Sequence, residues 1–245
     1  MIRVALCGAC GRMGREIIGQ LVKQTDMELS AAIEAPNSPF LGKDAGDVAG
    51  VGKLRVEVQS AEELPKILEE KKPGVLVDFT HAEAAVENVR IAAEFGIPVV
   101  VGTTGFSAEQ KKVLEEIISK NKIAAVISPN MSVGVNVFFK LASEAARMLG
   151  PDYQVEIVEA HHHGKLDTPS GTALRAAKLI ADALGLGEDQ IKTGRPAGKQ
   201  ERRGKEIYIH SLRVGDVAGE HTIVFAGPAE RIELTHRAHG RETFA

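Results

Sequence analysis

Cysteine is scarce in this chain. Cys7 and Cys10 are the only two in 245 residues, so no disulfide framework can hold the fold together. An apolar run of membrane-spanning length is also missing, which argues against a transmembrane helix. Basic charge is not in excess. The 30 Lys and Arg against 33 Asp and Glu leave a formal charge of −3, which gives no reason to expect nucleic acid as a partner. Small anionic ligands stay open, because they answer to local basic sites rather than to net charge. The segment Met1-Ile2-Arg3-Val4-Ala5-Leu6 runs straight into a glycine-rich stretch and is too short for a signal peptide, so a cytoplasmic location is expected. What is present is a hydrophobic fraction of 44%, enough for a packed core.

The first half alternates short apolar runs with amphipathic stretches, the rhythm of βαβ units. Strands are expected at Val4–Cys7, Leu29–Ile33, Val75–Phe79, Val99–Val101 and Ala124–Ile127. Helical patterns fall at Met13–Val22, Ala82–Phe95 and Ala108–Asn121, with Gly74, Gly96 and Pro98 marking boundaries. Apolar strands separated by helices imply a parallel sheet covered on both faces. After about Asn130 the rhythm changes. A long helix at Val133–Leu149 precedes a strand at Val155–Ala160 and a helix at Ser170–Leu184. Polar, glycine-rich stretches and three β-like runs follow, at Lys205–Arg213, His221–Ala226 and Arg231–Thr235. That pattern is α+β with antiparallel strands. The expected fold is therefore α/β: a Rossmann-type doubly wound parallel sheet plus a second α+β domain with an open mixed or antiparallel sheet. There is no internal repeat or low-complexity segment.

Gly8-Ala9-Cys10-Gly11-Arg12-Met13-Gly14 lies between the first strand and the first helix, a G-x-x-G-x-x-G variant of the dinucleotide fingerprint. Glycines there allow a tight turn, a close approach of pyrophosphate to the backbone, and packing of helix on strand. The helix start offers N–H groups and a positive dipole end to phosphate. Glu34 follows 20 residues beyond Gly14, where an acid meets the ribose hydroxyls, although a solvent-facing loop position explains it too. Cys7 and Cys10 are spaced as C-x-x-C. With no second cysteine pair, filling a cramped turn accounts for them better than a redox or zinc role. Gly102-Thr103-Thr104-Gly105 and Ser128-Pro129-Asn130-Met131 follow strands at the carboxyl edge of the expected sheet, where ligands of such sheets bind. Ordinary turn chemistry is the alternative for both.

The densest chemistry is in Glu159–Ala173, where His161, His162, His163 and Lys165 lie at a strand end just before a helix. Ser170 or Thr168 suits the N-cap, and amides at Gly171 and Thr172 suit a substrate carboxylate. Lys165 would neutralise a second negative group, and a histidine can move a proton beside a hydride transfer. His161 and His163 share a strand face, so zinc is conceivable with help from His210, His221, His236 or His239, and a solvated basic turn is the plainest alternative. An anionic substrate site without metal fits best. It suggests a reductase acting on a small carboxylate-bearing imine or enamine.

At these residues the chain resembles the 4-hydroxy-tetrahydrodipicolinate reductase (dihydrodipicolinate reductase) family of the lysine and diaminopimelate pathway. The resemblance rests on Gly8–Gly14, Asp78-Phe79-Thr80, Gly102–Gly105, Asn130–Asn136 and His161–Thr172, and runs from residue 2 to the end. It implies a dinucleotide-binding domain over 1–130, to which the chain returns at about 236–245, and a substrate-binding and oligomerisation domain over 131–235. It implies an open sheet that builds a homotetramer, and hydride transfer from NADH or NADPH into a cyclic conjugated imine. By matching position, His161 is the proton donor and Lys165 its partner, and His162, Gly171 and Thr172 bind substrate. Gly8, Ala9, Cys10, Gly11, Arg12 and Met13, with Glu34, Gly102, Thr103, Thr104, Ser128, Pro129, Asn130 and Met131, hold the cofactor.

Three departures from the family stand out. Ala35 replaces a frequent arginine, leaving no evident cation for a 2′-phosphate, so NADH is expected to be preferred. Thr168 stands where alanine is common. The chain stops at Ala245, where the family continues with a helix and strand that return to the cofactor domain. Two other readings accompany this one: a two-domain NAD(P)-dependent dehydrogenase of another amino-acid precursor, and a nucleotide-sensing protein without turnover.

Overall fold

Continuous apolar runs need cover on both faces, and in the first part of the chain they get it. The computed structural model describes residues 1–199 and 205–245; residues 200–204, in the polar, glycine-rich stretch, lie outside that description. The chain divides into one unit of Met1–Met131 with Phe244–Ala245 and another of Ser132–Thr243. Among the described residues no helix is long and apolar enough to cross a membrane.

The first unit runs β1 (Ile2–Cys7), α1 (Arg12–Leu21), β2 (Met27–Glu34), α2 (Ala45–Ala49), β3 (Val58–Ser60), α3 (Leu64–Lys71), β4 (Val75–Asp78), α4 (Ala82–Glu94), β5 (Val99–Val101), α5 (Ala108–Asn121) and β6 (Ala125–Ile127). Its six strands are parallel in the order β3-β2-β1-β4-β5-β6. This is the doubly wound Rossmann order, whose ligand-binding crevice opens at the carboxyl ends of β1 and β4, where the winding reverses. On one side of the sheet Ala5, Cys7, Ile33 and Leu76 pack with α3, α4 and α5. On the other, Val4 and Leu6 pack with Ile17, Ile18 and Leu21 of α1. α5 starts at a capping box in which Ser107 and Gln110 each bond the other's backbone.

Three elements of this unit escape pattern reading. α2 has five residues and no room for a helical period; Asp44 holds it instead, accepting the amides of Gly46, Asp47, Leu54 and Arg55. β3 is three residues long, and α3 has only eight, with a proline in its first turn.

The second unit runs α6 (Val133–Leu149), β7 (Gln154–His161), α7 (Gly171–Leu184), β8 (Ile191–Thr193), β9 (Ile207–Arg213), β10 (Gly219–Ala226) and β11 (Arg231–Ala238). Its sheet order is β11-β10-β7-β9-β8. β7 pairs antiparallel with β10 and parallel with β9, and β8 pairs parallel with β9. The sheet is thus mixed, and the antiparallel expectation holds only for β7, β10 and β11. β8, three residues long, carries no alternation to read. Residues 236–238 belong to β11 in this sheet, and only Phe244–Ala245 group with the first unit. α6 and α7 cover one sheet face with Phe138, Ala142, Ala177 and Ile180 against Val155, Ile157, Ile223 and Phe225. On β7 the buried positions alternate as Val155, Ile157, Glu159, His161. The last two are polar, and they continue the apolar face.

Leu76 in central β4 is fully buried. Leu76→Ala is expected to cost about 2–5 kcal/mol through lost burial and the cavity left behind. Urea unfolding should show a lower midpoint at unchanged m-value, and a loss below about 1 kcal/mol would mean that the sheet centre is not packed as described.

Candidate active site

The turn after β1 explains its glycines. Gly8 has φ +78°, and a Cβ there would come within 2.5 Å of the Phe79 carbonyl oxygen. A Cβ on Gly14 would meet the Gly8 oxygen at 2.1 Å, so α1 packs on the turn only with glycine at that position. α1 begins at Gly11, which as N-cap supplies no side-chain bond to the first-turn amides. A bare helix start of ten residues beside a glycine turn suits pyrophosphate. The residues present fit a dinucleotide.

Glu34 ends β2 and braces this turn. Its carboxylate accepts the Cys10 amide at 2.9 Å and the Ala35 amide at 3.0 Å. Arg15 donates from Nε to the Cys10 carbonyl at 2.8 Å. The Arg15 guanidinium carbon and the Lys43 ammonium lie 5.0 and 5.1 Å from the centre of the Phe40 ring. Two cations that the sequence around Ala35 did not disclose therefore lie near this corner. Cys7 and Cys10 are both buried and not disulfide-bonded. Burial raises both thiols, Cys10 to about 11, so neither is a ready thiolate.

Other expected cofactor residues of the first unit sit at the ends of β5 and β6. Gly102 is pressed against the Phe79 ring, which a Cβ would overlap at 2.1 Å. Thr103 is buried, and its hydroxyl donates to Asp78 at 2.7 Å; the same carboxylate accepts from Thr80 Oγ1 and from Asn88 Nδ2. Asp78 thus ties the loops after β4 and β5 to α4, a structural use the sequence did not disclose. Thr104 is exposed. Ser128 donates from its hydroxyl to the Asn130 carbonyl at 2.8 Å, closing the Ser128–Met131 turn.

In the second unit the histidine segment gathers around a buried carboxylate. His161 Nδ1 lies 2.6 Å from Glu159 Oε2. Arg213 grips the same carboxylate with two bonds of 2.9 Å, one to each oxygen, and the Ser170 amide donates to Oε1 at 3.1 Å. Burial alone would raise the Glu159 carboxyl. The bonds from Arg213, His161, Ser211 and the Ser170 amide outweigh it and bring Glu159 down to about 2. An ionised carboxylate only accepts, so His161 carries its proton on Nδ1 and has its lone pair on Nε2. Nε2 makes no hydrogen bond among the described residues, and a Cβ on Gly219 would lie 3.2 Å from it. Burial lowers the His161 pKa; Glu159 opposes this, while Lys165 and Arg213 add to it.

Lys165 donates to Asp167 at 2.8 Å. His163 Nδ1 pairs with the Gly215 carbonyl at 3.0 Å, so it does not join His161. No group of three or more His, Cys, Asp or Glu side chains among the described residues is placed to hold a metal. Ser170 caps α7 by accepting the Ala173 amide and sits 3.0 Å from His221 Nε2. The His221 ring meets that of His161 edge-on at 5.2 Å. Gly171 opens the helix with free space where a side chain would stand. His161, Lys165, Gly171 and Thr172 thus lie on one strand–loop–helix segment. Of its organisers, Glu159 and Arg213 had no assigned site role in the sequence, and His221 entered only as a conceivable zinc ligand. Glu159 had one signal: two residues before His161, it shares a face with it on the same strand.

Comparison with known proteins shows the family. Residues 2–131 match the family description "Dihydrodipicolinate reductase, N-terminus", and residues 134–245 match "Dihydrodipicolinate reductase, C-terminus". The chain belongs to the dihydrodipicolinate reductase family. Among its relatives, the 4-hydroxy-tetrahydrodipicolinate reductase of Methanocaldococcus jannaschii is 53% identical over 244 residues, covering 100% of this chain and 88% of that protein. The enzyme of the same name from Methanothermobacter thermautotrophicus is 50% identical, covering 100% and 89%. In structure, the dipicolinate-bound dihydrodipicolinate reductase from Paenisporosarcina sp. TG-14 superimposes with a TM-score of 0.79 at 31% identity, covering 100% of this chain and 90% of that one. A Thermus thermophilus WlbA dehydrogenase, at 14% identity and a TM-score of 0.61, shares the fold.

The buried groups of this family member set its response to acid. Burial and neighbouring charge lower His221 to about 3, so it stays neutral in the fold while the unfolded chain takes up its proton. A depressed pKa contributes stability that is lost as pH falls, here from about 6.5 toward 3, with Glu159 adding a further loss from about 4.5 toward 2. Unfolding free energy should decline steadily below neutral pH. His221→Gln should flatten the decline between about pH 6.5 and 4, and an unchanged slope would contradict the assignment.

Proposed function

We propose that the chain carries out the reaction in its relatives' name: NAD(P)H-dependent reduction of 4-hydroxy-tetrahydrodipicolinate to tetrahydrodipicolinate, a step of lysine and diaminopimelate biosynthesis. The first unit is the dinucleotide-binding domain. The second binds substrate and builds a homotetramer through the sheet face that α6 and α7 leave uncovered, where Leu212 is 50% exposed. A cytoplasmic setting suits free cysteines and a small-molecule reductase.

When bound, the reduced nicotinamide supplies the hydride. The chain's own residues handle the substrate's charge and the proton. Helix α7 begins at Gly171 and Thr172 and directs its positive end toward a substrate carboxylate. Lys165 exchanges its bond to Asp167 for a second anionic group of the substrate, with His162 lining the same segment. Loss of the substrate's 4-hydroxyl as water gives the conjugated imine, and hydride addition to it leaves a neighbouring atom that must gain a proton. His161 relays it through Nε2, and the Glu159 carboxylate on Nδ1 stabilises the imidazolium while it lasts. The observation that carries this reading is the Nδ1 bond, because it leaves Nε2 as the working nitrogen.

For the cofactor, Glu34 at the ribose corner and the lack of a cation at Ala35 favour NADH. Arg15 and Lys43 beside Phe40 give NADPH a foothold. Following NADH absorbance with freshly prepared substrate tests the activity. His161→Gln and Lys165→Ala should each lower kcat by about 10²–10⁴-fold without abolishing NADH binding. Wild-type turnover in His161→Gln would refute the relay. Lys43→Ala should lower kcat/KM with NADPH about tenfold and barely change it with NADH. An equal loss with both would remove Lys43 from the phosphate corner.

A further inference from the structure

We infer that Arg213 is a positioning residue for both His161 and Lys165, acting on the first through Glu159 and on the second through the Asp167 backbone. This rests on the proton-transfer reading above. Arg213 ends β9 and pairs in register with His161 at the end of β7, so the parallel ladder delivers its guanidinium to the histidine segment. One nitrogen, Nη1, donates to Glu159 Oε2, the oxygen that holds His161. The other, Nη2, donates to Glu159 Oε1 at 2.9 Å and to the Asp167 carbonyl at 2.6 Å. The Asp167 carboxylate in turn holds Lys165. A single planar cation therefore spans the end of the strand and the loop that carries the lysine, while Glu159 reaches on to the start of α7 through the Ser170 amide.

An apolar pair of similar volume would hold the sheet as well as this buried ion pair does, because removing charges from water offsets most of their attraction. The charges do something an apolar pair cannot. A buried carboxylate facing His161 without a counter-cation would draw a proton onto the ring and keep it as imidazolium. With Arg213 across both oxygens, the negative charge is compensated and the resting imidazole stays neutral, its Nδ1 proton committed to Glu159. The charged and titratable groups facing the ring are Glu159 on its own strand, Lys165 from the following loop, Arg213 from β9 and His221 from β10. Glu159 and His221 meet that loop at Ser170, whereas Arg213 bonds the backbone of Asp167, the residue whose carboxylate holds Lys165. A lysine in its place would keep the charge and lose the two-pronged grip.

The test is ¹⁵N NMR of the histidine side chains in the full-length protein, with His161 assigned by comparison with His161→Gln, alongside steady-state kinetics. Wild type should show the Nδ1–H tautomer. In Arg213→Met the His161 titration midpoint should rise by about one pH unit, and kcat should fall at least about tenfold with KM for NADH nearly unchanged. Arg213→Lys should lie between the two, and it decides the matter if Arg213→Met does not fold, as judged by circular dichroism. An unchanged tautomer and midpoint in the Arg213 variants, with His161→Gln inactive, would overturn the inference and leave the relay standing. Full turnover in His161→Gln with a shifted midpoint in Arg213→Met would overturn both, making Arg213 the organiser of a histidine without a catalytic part.

Discussion

A fully buried carboxylate is the constraint on which the second unit's chemistry depends. Glu159 sits on the covered face of β7, in line with Val155 and Ile157, where a charge has no water to turn to. It persists only because Arg213, His161 and the Ser170 amide satisfy it. Each of those partners is held in turn. The carboxylate fixes the tautomer of one histidine, anchors the amide of a helix cap and receives the guanidinium that braces a loop. The polar end of β7 is where packing gives way to chemistry, on the same strand and the same face.

The first unit solves a different problem, that of packing backbone against backbone at the turn after β1. Its answer is steric. Gly8 and Gly14 touch through the backbone, Gly102 lies flat against Phe79, and a methyl group at any of the three would collide. Polar side chains then lock what the glycines allow: Glu34 on the Cys10 amide, Asp78 on Thr80, Thr103 and Asn88. Thr103, expected among the cofactor residues, spends its hydroxyl on Asp78. The same loop thus carries a structural bond at a position the family pattern associates with cofactor.

The elements read well where periodicity had length to express itself. α5 and α6 match their expected bounds, and β5 does too, because a continuous apolar run and helical stripes of 14 and 17 residues leave little choice. Four short elements, α2, β3, α3 and β8, did not show. β3 and β8 take their strand conformation from neighbours already in place, and α2 takes its helical turn from the Asp44 side chain. The parallel pairing of β7 with β9 was equally hidden, since alternation along a strand says which face is buried and nothing about the direction of the partner.

By itself the sequence determined the order and type of the long elements, the glycine turn, and the cluster of histidines and lysine that carries the family resemblance. Those are local properties, set by spacing and residue type within about 15 positions. Tertiary structure alone decided which histidine is held and by which nitrogen, that Arg213 from 54 residues away closes the carboxylate, and that Arg15 and Lys43 meet at Phe40. Hydrogen bonds and charge pairing act over a few ångströms in space. Chain distance does not record which groups the sheet order will bring within that reach.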